Sequence, residues 1–494
     1  MTNDNYFIPH LEWESVSFPL TITKIACNES LFGFADNSIV IIERTDNFKL
    51  TGEITGTVLY PSNLSKENFI GKGNIIEGKN LTGEDSDGNT IELTNCHLIS
   101  YHTNSWNQTE NGYLFEGNLI ADKLTITYKE QEKLGSYKRL DWFVCSKPKA
   151  HFWETTIRRS APEKIKIRKG IDTHTEDEEM KAGVSWTKDY IKVDLAGLNF
   201  IIAKVPEKIY GNSLHGLCFE FRDTDGFKMP DEATIKQIKS FISFVLGNKL
   251  THIGYSLISD SYIQKAVCYS VNSESLRLSS KPPMPPVAFN TKYEWGNFPW
   301  LVNKMLPEYL NINNQLKLGQ AISRYWISKG LAIGVNLPIL SNAIEIIVAE
   351  YLKLHGEFKT EIIPDEEYLK LIEDEIEKLQ SKLLTYPEGQ IILNNIKKGN
   401  KKSINVKMNA FFKLTGIDIG KEEKTATQLR NKMTHSTRDY SQDEKAYDDL
   451  VLTRVYEVLF NRIILKLLGY DAYYTDYSLQ NSPLKQISTS AGSQ

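Results

Sequence analysis

The sequence predicts an α+β protein in which a β-rich, sandwich- or barrel-like N-terminal region is followed by a C-terminal all-α bundle. Three observations carry this. Through about residue 280, short apolar or alternating runs are separated by turn residues, which suits half-buried strands. Four prolines then fall within five positions, Pro282, Pro283, Pro285 and Pro286, which forbids a continuing helix or central strand and favours a stiff extended linker. Beyond them, apolar residues recur at helical spacing.

Taken in order, residues 38–43, 49–54 and 90–94 read as strands, and Asp87-Gly88 as a hairpin turn. A second β-rich stretch covers residues 112–222, with strands at 123–128, 140–145 and 190–205 around an acidic loop at 172–179. Asp231 opens a helix that Gly247 closes, and residues 253–272 return to strand. The division into one β domain (1–280) or two (1–110 and 111–280) stays open. The linker is residues 281–287.

The helical region is 288–477. Leu316, Gly319, Ile322 and Trp326 mark a first helix; Leu340, Ile344, Ile347, Val348 and Tyr351 give a second its apolar face, closed by Gly356. An acidic third helix follows Pro364, with Asp365, Glu366 and Glu367 complementing the positive end of the helix dipole. Shorter helices cover 390–397 and 406–414, and Thr427 starts another. Ser441 with Glu444 forms a capping box before a last apolar stripe that runs to Gly469. Residues 478–494, rich in Ser, Gln and Thr, are expected to lack structure.

Bulk properties exclude several function classes. A chain of 494 residues with 41% hydrophobic content buries large cores, and a net charge of -4 is no general signature for polyanion binding, so any nucleic-acid contact needs a local basic patch. Cys27, Cys96, Cys145, Cys218 and Cys268 include no Cys-x-x-Cys pair, which argues for reduced thiols rather than a disulfide framework or zinc site. No signal-peptide core or membrane-length apolar run occurs, so a cytoplasmic protein without a membrane span is expected. Residues 455–468, the richest apolar stretch, read as an amphipathic helix. Walker, zinc-protease, esterase and Rossmann motifs are absent. The acidic residues Glu373, Asp374, Glu375 and Glu377 spread around their helix as a solvated face, and the pairs Tyr325-Trp326 and Phe411-Phe412 belong to the core.

One hexapeptide carries chemistry: Arg430-Asn431-Lys432-Met433-Thr434-His435. Cleavage of RNA by its own 2′-OH needs a base, a counter-charge for the pentavalent phosphate, and an acid for the leaving 5′ oxygen. No metal or other cofactor is required in principle. His435 titrates near neutral pH and suits base or acid work. Arg430 forks two N–H groups onto a phosphate and keeps its charge; Asn431 orients and Lys432 adds charge. An Arg-His pair at such spacing arises by chance about half a time in a chain of this composition, and Arg168/His174 is such a match, in a strand running into the acidic loop. Helical context distinguishes Arg430/His435. On a straight α-helix, however, the two point about 140° apart and stand about 7.5 Å apart along the axis. Both a helix break near Thr434 to Thr437 and a second copy of the motif across a dimer are therefore expected to build the site.

The motif resembles the Arg-polar-x(3–5)-His signature of HEPN ribonuclease domains. Residues 319–329 and 342–347 resemble the first two long helices of the ApeA-type HEPN domain, and the β-rich region resembles the ApeA N-terminal domain. The resemblance implies a bacterial anti-phage ribonuclease acting by abortive infection. It would be metal-independent and a homodimer or higher oligomer, cutting RNA, tRNA above all, to 2′,3′-cyclic phosphate and 5′-OH ends. Its N-terminal region would sense infection, with a phage protein as the candidate trigger, or restrain the nuclease. Glu345 would brace Arg430 by an ion pair. Lys397, Lys398, Lys401 and Lys402 form a candidate RNA-backbone patch. The alternative is a non-catalytic dimerising helical module with a β-rich protein- or ligand-binding domain.

Overall fold

The computed structural model describes residues 16–488 except 28–32, 60–76, 110–111, 130–136, 153, 161–163, 170–171, 178–184, 196, 206–213, 224–227, 260–261, 291, 333, 357 and 436–442. The chain forms two compact units, residues 1–285 with 289–306, and residues 286–288 with 307–494. The first is built on β-sheet and the second on helices, the expected α+β class.

The β unit begins with β1 (Leu20–Ala26), β2 (Gly33–Phe34), β3 (Ile39–Arg44), β4 (Leu50–Leu59), β5 (Glu77–Glu84), β6 (Thr90–Thr109), β7 (Gly112–Ala121) and β8 (Lys123–Thr127). All pairings are antiparallel, and β1-β3-β4-β7-β6-β5 closes back on β1 as a barrel. Closure removes the exposed edges that an open sheet would offer. Alternate residues fill it: Ile22, Val40, Ile42, Ile54, Leu81, Ile91, Leu93, Phe115 and Leu119 are buried in one cluster. The Asp87-Gly88 turn forms between β5 and β6, where Asp85 Oδ1 accepts from the amides of Asp87 and Asn89 and Gly88 takes φ 78°.

The sheet continues through β9 (Tyr137–Cys145), β10 (Glu154–Ser160), β11 (Lys164–Lys169), β12 (Asp172–Asp177), β13 (Ser185–Leu195), β14 (Leu198–Val205), β15 (His215–Arg222), β16 (Thr251–Ser259) and β17 (Tyr262–Tyr269). From the barrel, β8 pairs with β17, and the order β17-β16-β9-β15-β14-β13-β10-β11-β12 follows. The two β stretches therefore share one connected sheet. The run 190–205 is not one strand but a hairpin that turns at Gly197, φ 80°. The acidic stretch expected as a loop is the strand β12. It pairs with basic β11 so that Lys164 faces Asp177 and Lys169 faces Asp172, and opposite charges across strands favour that register. Arg168 and His174, the chance match, lie on these two strands.

Helix α1 (Glu232–Leu246) starts at Asp231, whose carboxylate accepts from the Thr234 amide, and ends at Gly247 in the left-handed conformation. Only glycine fits there, because a Cβ would stand 2.0 Å from the Met284 carbonyl carbon. Where α1 meets the sheet, Arg139 forks onto Asp141 at 2.7 and 2.9 Å and reaches Glu232 at 2.6 Å. Its guanidinium also covers the Tyr255 ring. A fully buried carboxylate is tolerable only with such a partner. Helix α2 (Ser273–Ser279), capped by Asn272, precedes the prolines.

Helix α3 (Phe298–Leu316) was not legible in the sequence. Pro307 sits inside it, and the division between the units falls at that residue. In the second unit follow α4 (Leu318–Gly330), α5 (Asn336–Leu354), α6 (Asp365–Leu383), α7 (Gly389–Lys397), α8 (Ile404–Thr415), α9 (Lys421–His435) and α10 (Asp443–Leu467). The last is not amphipathic. From Val455 to Leu465 every residue is buried, so the polar interruptions Glu457 and Arg462 face protein, not water. The tail is ordered further than expected: β18 (Tyr473–Thr475) pairs with β19 (Leu484–Gln486). Among the described residues no helix is long and apolar enough to cross a membrane, and all five cysteines are buried outside any disulfide.

Candidate functional site

The motif residues lie on α9, which begins six residues before the Thr427 expected from the sequence. Its start is set by electrostatics. Glu422 and Glu423 occupy the first turn, and Glu423 Oε2 accepts from the Gly420 amide at 2.9 Å, satisfying a donor that the helix leaves orphaned. The other oxygen of Glu423 takes Arg462 Nη1 of α10 at 2.5 Å, with both side chains fully buried. Arg462 also donates to the carbonyl of Asp418 at 3.0 Å and through two nitrogens to that of Ile487 at 3.2 and 3.0 Å. One guanidinium thus fastens α9, α10 and the end of β19.

Burial along α9 has a clear phase. Glu423, Ala426 and Leu429 are buried, whereas Lys421, Lys424 and Gln428 are exposed. Continued along the helix at about 100° per residue, this phase gives position 430 the angular sector of Glu423 and position 435 the sector of Lys424 and Gln428. The side chains of Arg430, Asn431, Lys432 and His435 lie outside the described residues. The backbone is helical through Thr434 and ends at His435, so it has no break before the histidine; Ser436, Thr437 and Ser441 fall outside the described residues. The two motif positions are therefore split between opposite sides of one helix.

Helix α5 packs on α9 and α10. It brings Glu345, half-buried, to Ser341, whose hydroxyl donates to Glu345 Oε1 at 2.9 Å and lies 3.4 Å from the Tyr456 hydroxyl of α10. Counting equal rises in both helices from the Glu423-Arg462 contact, Arg430 stands level with about residue 455, some 10 Å along. By that count the backbone of Arg430 falls near the level of Tyr456, which the Ser341-Glu345 pair meets.

The four lysines differ in their surroundings. Lys397, Lys398 and Lys401 are exposed around the end of α7, but Lys402 Nζ donates to the Lys359 carbonyl at 2.7 Å and lies over the Phe358 ring. Lys401 bridges to Glu361 through the backbone, and Asn400 of the same loop bonds Asp365 at 2.7 Å. Carboxylates next to the lysines weaken the local positive field. The acidic residues Glu373, Asp374, Glu375 and Glu377 of α6 are all exposed. Tyr325, Trp326, Phe411 and Phe412 are core residues, with Tyr325 stacked on Phe460. In the β unit a groove of about 330 Å³ on β4, β6 and β7 is lined by Glu53, Thr55, Ser100, Glu116 and Asn118; its two carboxylates oppose a phosphate backbone.

The sequence reading missed a second buried ion network. Lys329 of α4 and Arg454 of α10 both bond Glu457 Oε2, at 2.6 and 2.7 Å. Burial alone would raise the Glu457 carboxyl, but the two cations hold it below the ordinary 4.5. A depressed carboxylate stabilises the fold above that value, and the contribution is lost as pH falls through its folded pKa, below 4.5. Glu457→Gln should cost about 1.5–3 kcal/mol at pH 7 and flatten the acid limb of stability. Urea unfolding between pH 3 and 7 measures this, and an unchanged acid limb would contradict it. The available signal was a charged residue inside the most apolar run of the chain.

Comparison with protein-family models, curated proteins and solved structures returned no match.

Proposed function

We propose that this chain is a metal-independent endoribonuclease of bacterial anti-phage defence, of the ApeA-type HEPN class that its motif resembles, with tRNA as the expected substrate. Arg430 would neutralise the pentavalent phosphate, His435 would move the proton at the 2′-OH or the 5′ oxygen, and Asn431 would orient one of them. The observation that carries the reading is the Arg-Asn-x-x-x-His spacing on a helix whose start is clamped by Glu423 and Arg462. A clamped helix holds catalytic groups more precisely than a loop does. Glu345, on the same level as Arg430, supports the role of a brace. The active form is a homodimer, and the β-rich unit senses the infection.

The test is incubation of the purified protein with total tRNA in EDTA, beside Arg430→Ala and His435→Ala. Wild type should yield fragments ending in 2′,3′-cyclic phosphate, and either variant should lose about 10²-fold or more. Where the resting enzyme is silent, growth arrest on overexpression replaces the gel. Equal cutting, or equal arrest, by all three proteins would sink the assignment.

A second reading, a non-catalytic dimerising module with a binding domain, draws on one observation. The hairpin of α6 and α7 leaves Leu369, Leu371, Tyr386, Ile391 and Ile392 exposed, and apolar residues gathered on a surface mark contact sites. That reading expects no tRNA cleavage and no arrest from any of the three proteins.

A further inference from the structure

We propose that the outer face of α9 is a contact for the RNA backbone, with Lys421, Lys424 and Gln428 binding phosphates on the approach to His435. This deepens the ribonuclease reading and rests on it.

The argument starts from charge segregation on a single helix. Lys421, Lys424 and Gln428 are exposed. By helical phase, Asn431, Lys432 and His435 continue the same side, so six cationic or hydrogen-bonding positions share an arc of about 100° over about 21 Å. No carboxylate of α9 lies on that arc. Glu423 is turned inward and spent on Arg462 and the Gly420 amide, and Glu422 is half-buried at the margin. The charged side chains described on that arc of α9 are Lys421 and Lys424, although the chain as a whole carries a net charge of -4.

The placement of the lysines adds a second argument. Lys421 and Lys424 stand in the first turn, where the helix dipole disfavours cations, and neither ammonium is held in an ion pair among the described residues. Local helix stability does not account for them, whereas a polyanion passing along the helix does. The lysines after α7 make the contrast, since Lys401 pairs through the backbone with Glu361 and Lys402 is tied to a carbonyl.

The probe is a fluorescein-labelled 2′-O-methyl single-stranded oligoribonucleotide of mixed sequence, which lacks the attacking 2′-OH. It is titrated against full-length His435→Ala across 50–200 mM salt, roughly the range over which phosphate contacts show most strongly. Adding Lys421→Ala and Lys424→Ala should weaken binding about 10- to 100-fold at the low end and reduce the slope of log K on log salt by about 1.4, two contacts at about 0.7 each. Lys421→Arg with Lys424→Arg should restore the slope, which a purely structural role would not require. Unchanged affinity and slope would overturn the proposal. So would loss of the dimer mass in sedimentation by the alanine pair, which would assign the face to a second copy. Failure of the ribonuclease reading looks different: His435 would prove dispensable for tRNA cleavage while the lysines still set the salt slope.

Discussion

Glu423→Ala should destabilise the helical unit by about 3–5 kcal/mol and detach the start of α9 from the bundle. The magnitude follows from what is left behind. Arg462 is fully buried, and of its partners among the described residues only Glu423 is charged; the carbonyls of Asp418 and Ile487 cannot neutralise a guanidinium. An uncompensated charge in that position must be hydrated, which needs the helices to part, and the Gly420 amide loses its acceptor at the same step. Removing both charges costs less than removing one. Glu423→Leu with Arg462→Met should recover much of the loss, because apolar residues of similar volume replace a buried pair at little net cost. Chemical denaturation gives the size and hydrogen exchange over residues 421–435 gives the place. A loss below about 1 kcal/mol, or protection lost elsewhere first, would contradict the clamp.

The clamp shows which part of the architecture was legible and which was not. Patterns fixed by neighbours in sequence were readable: the Asp87-Gly88 turn, the helix from Asp231 to Gly247 and the acidic opening of α6 all appear where the residues place them. Features fixed by distant partners were not. The acidic stretch 172–177 reads as a loop alone and becomes a strand because basic β11 lies beside it. The start of α9 is set by Arg462, 39 residues away, so local propensity pointed to Thr427 instead. Arg462 and Glu457 looked like the polar side of an amphipathic helix, yet each has its counter-charge inside the bundle. Helix α3 was hidden by Pro307, which weakens a helix without abolishing it once tertiary packing holds its ends. For the candidate site the same division holds. The residue types and their spacing stood in the sequence, whereas the inner and outer sides of α9 emerged only from burial.

Those two sides lead to the second large effect. Mixing Arg430→Ala chains with His435→Ala chains, each inactive alone, should restore about a quarter of the wild-type activity, as expected when random pairing makes half of the dimers mixed and each mixed dimer has one intact site. The backbone of α9 stays helical through Thr434, so Arg430 and His435 stand about 140° and 7.5 Å apart on one helix. One phosphate cannot bridge that separation while touching both groups at hydrogen-bond distance. If Arg430 is directed to the Ser341-Glu345-Tyr456 level and His435 lies on the outer arc, a complete constellation takes the arginine of one chain and the histidine of the other. Co-expression of the two variants with different affinity tags, followed by isolation of the doubly tagged species, raises the expected yield to about half of wild type, one intact site in two. No activity in that species would locate the whole site within one chain. The stoichiometry of recovery therefore decides between a composite site and a self-contained one.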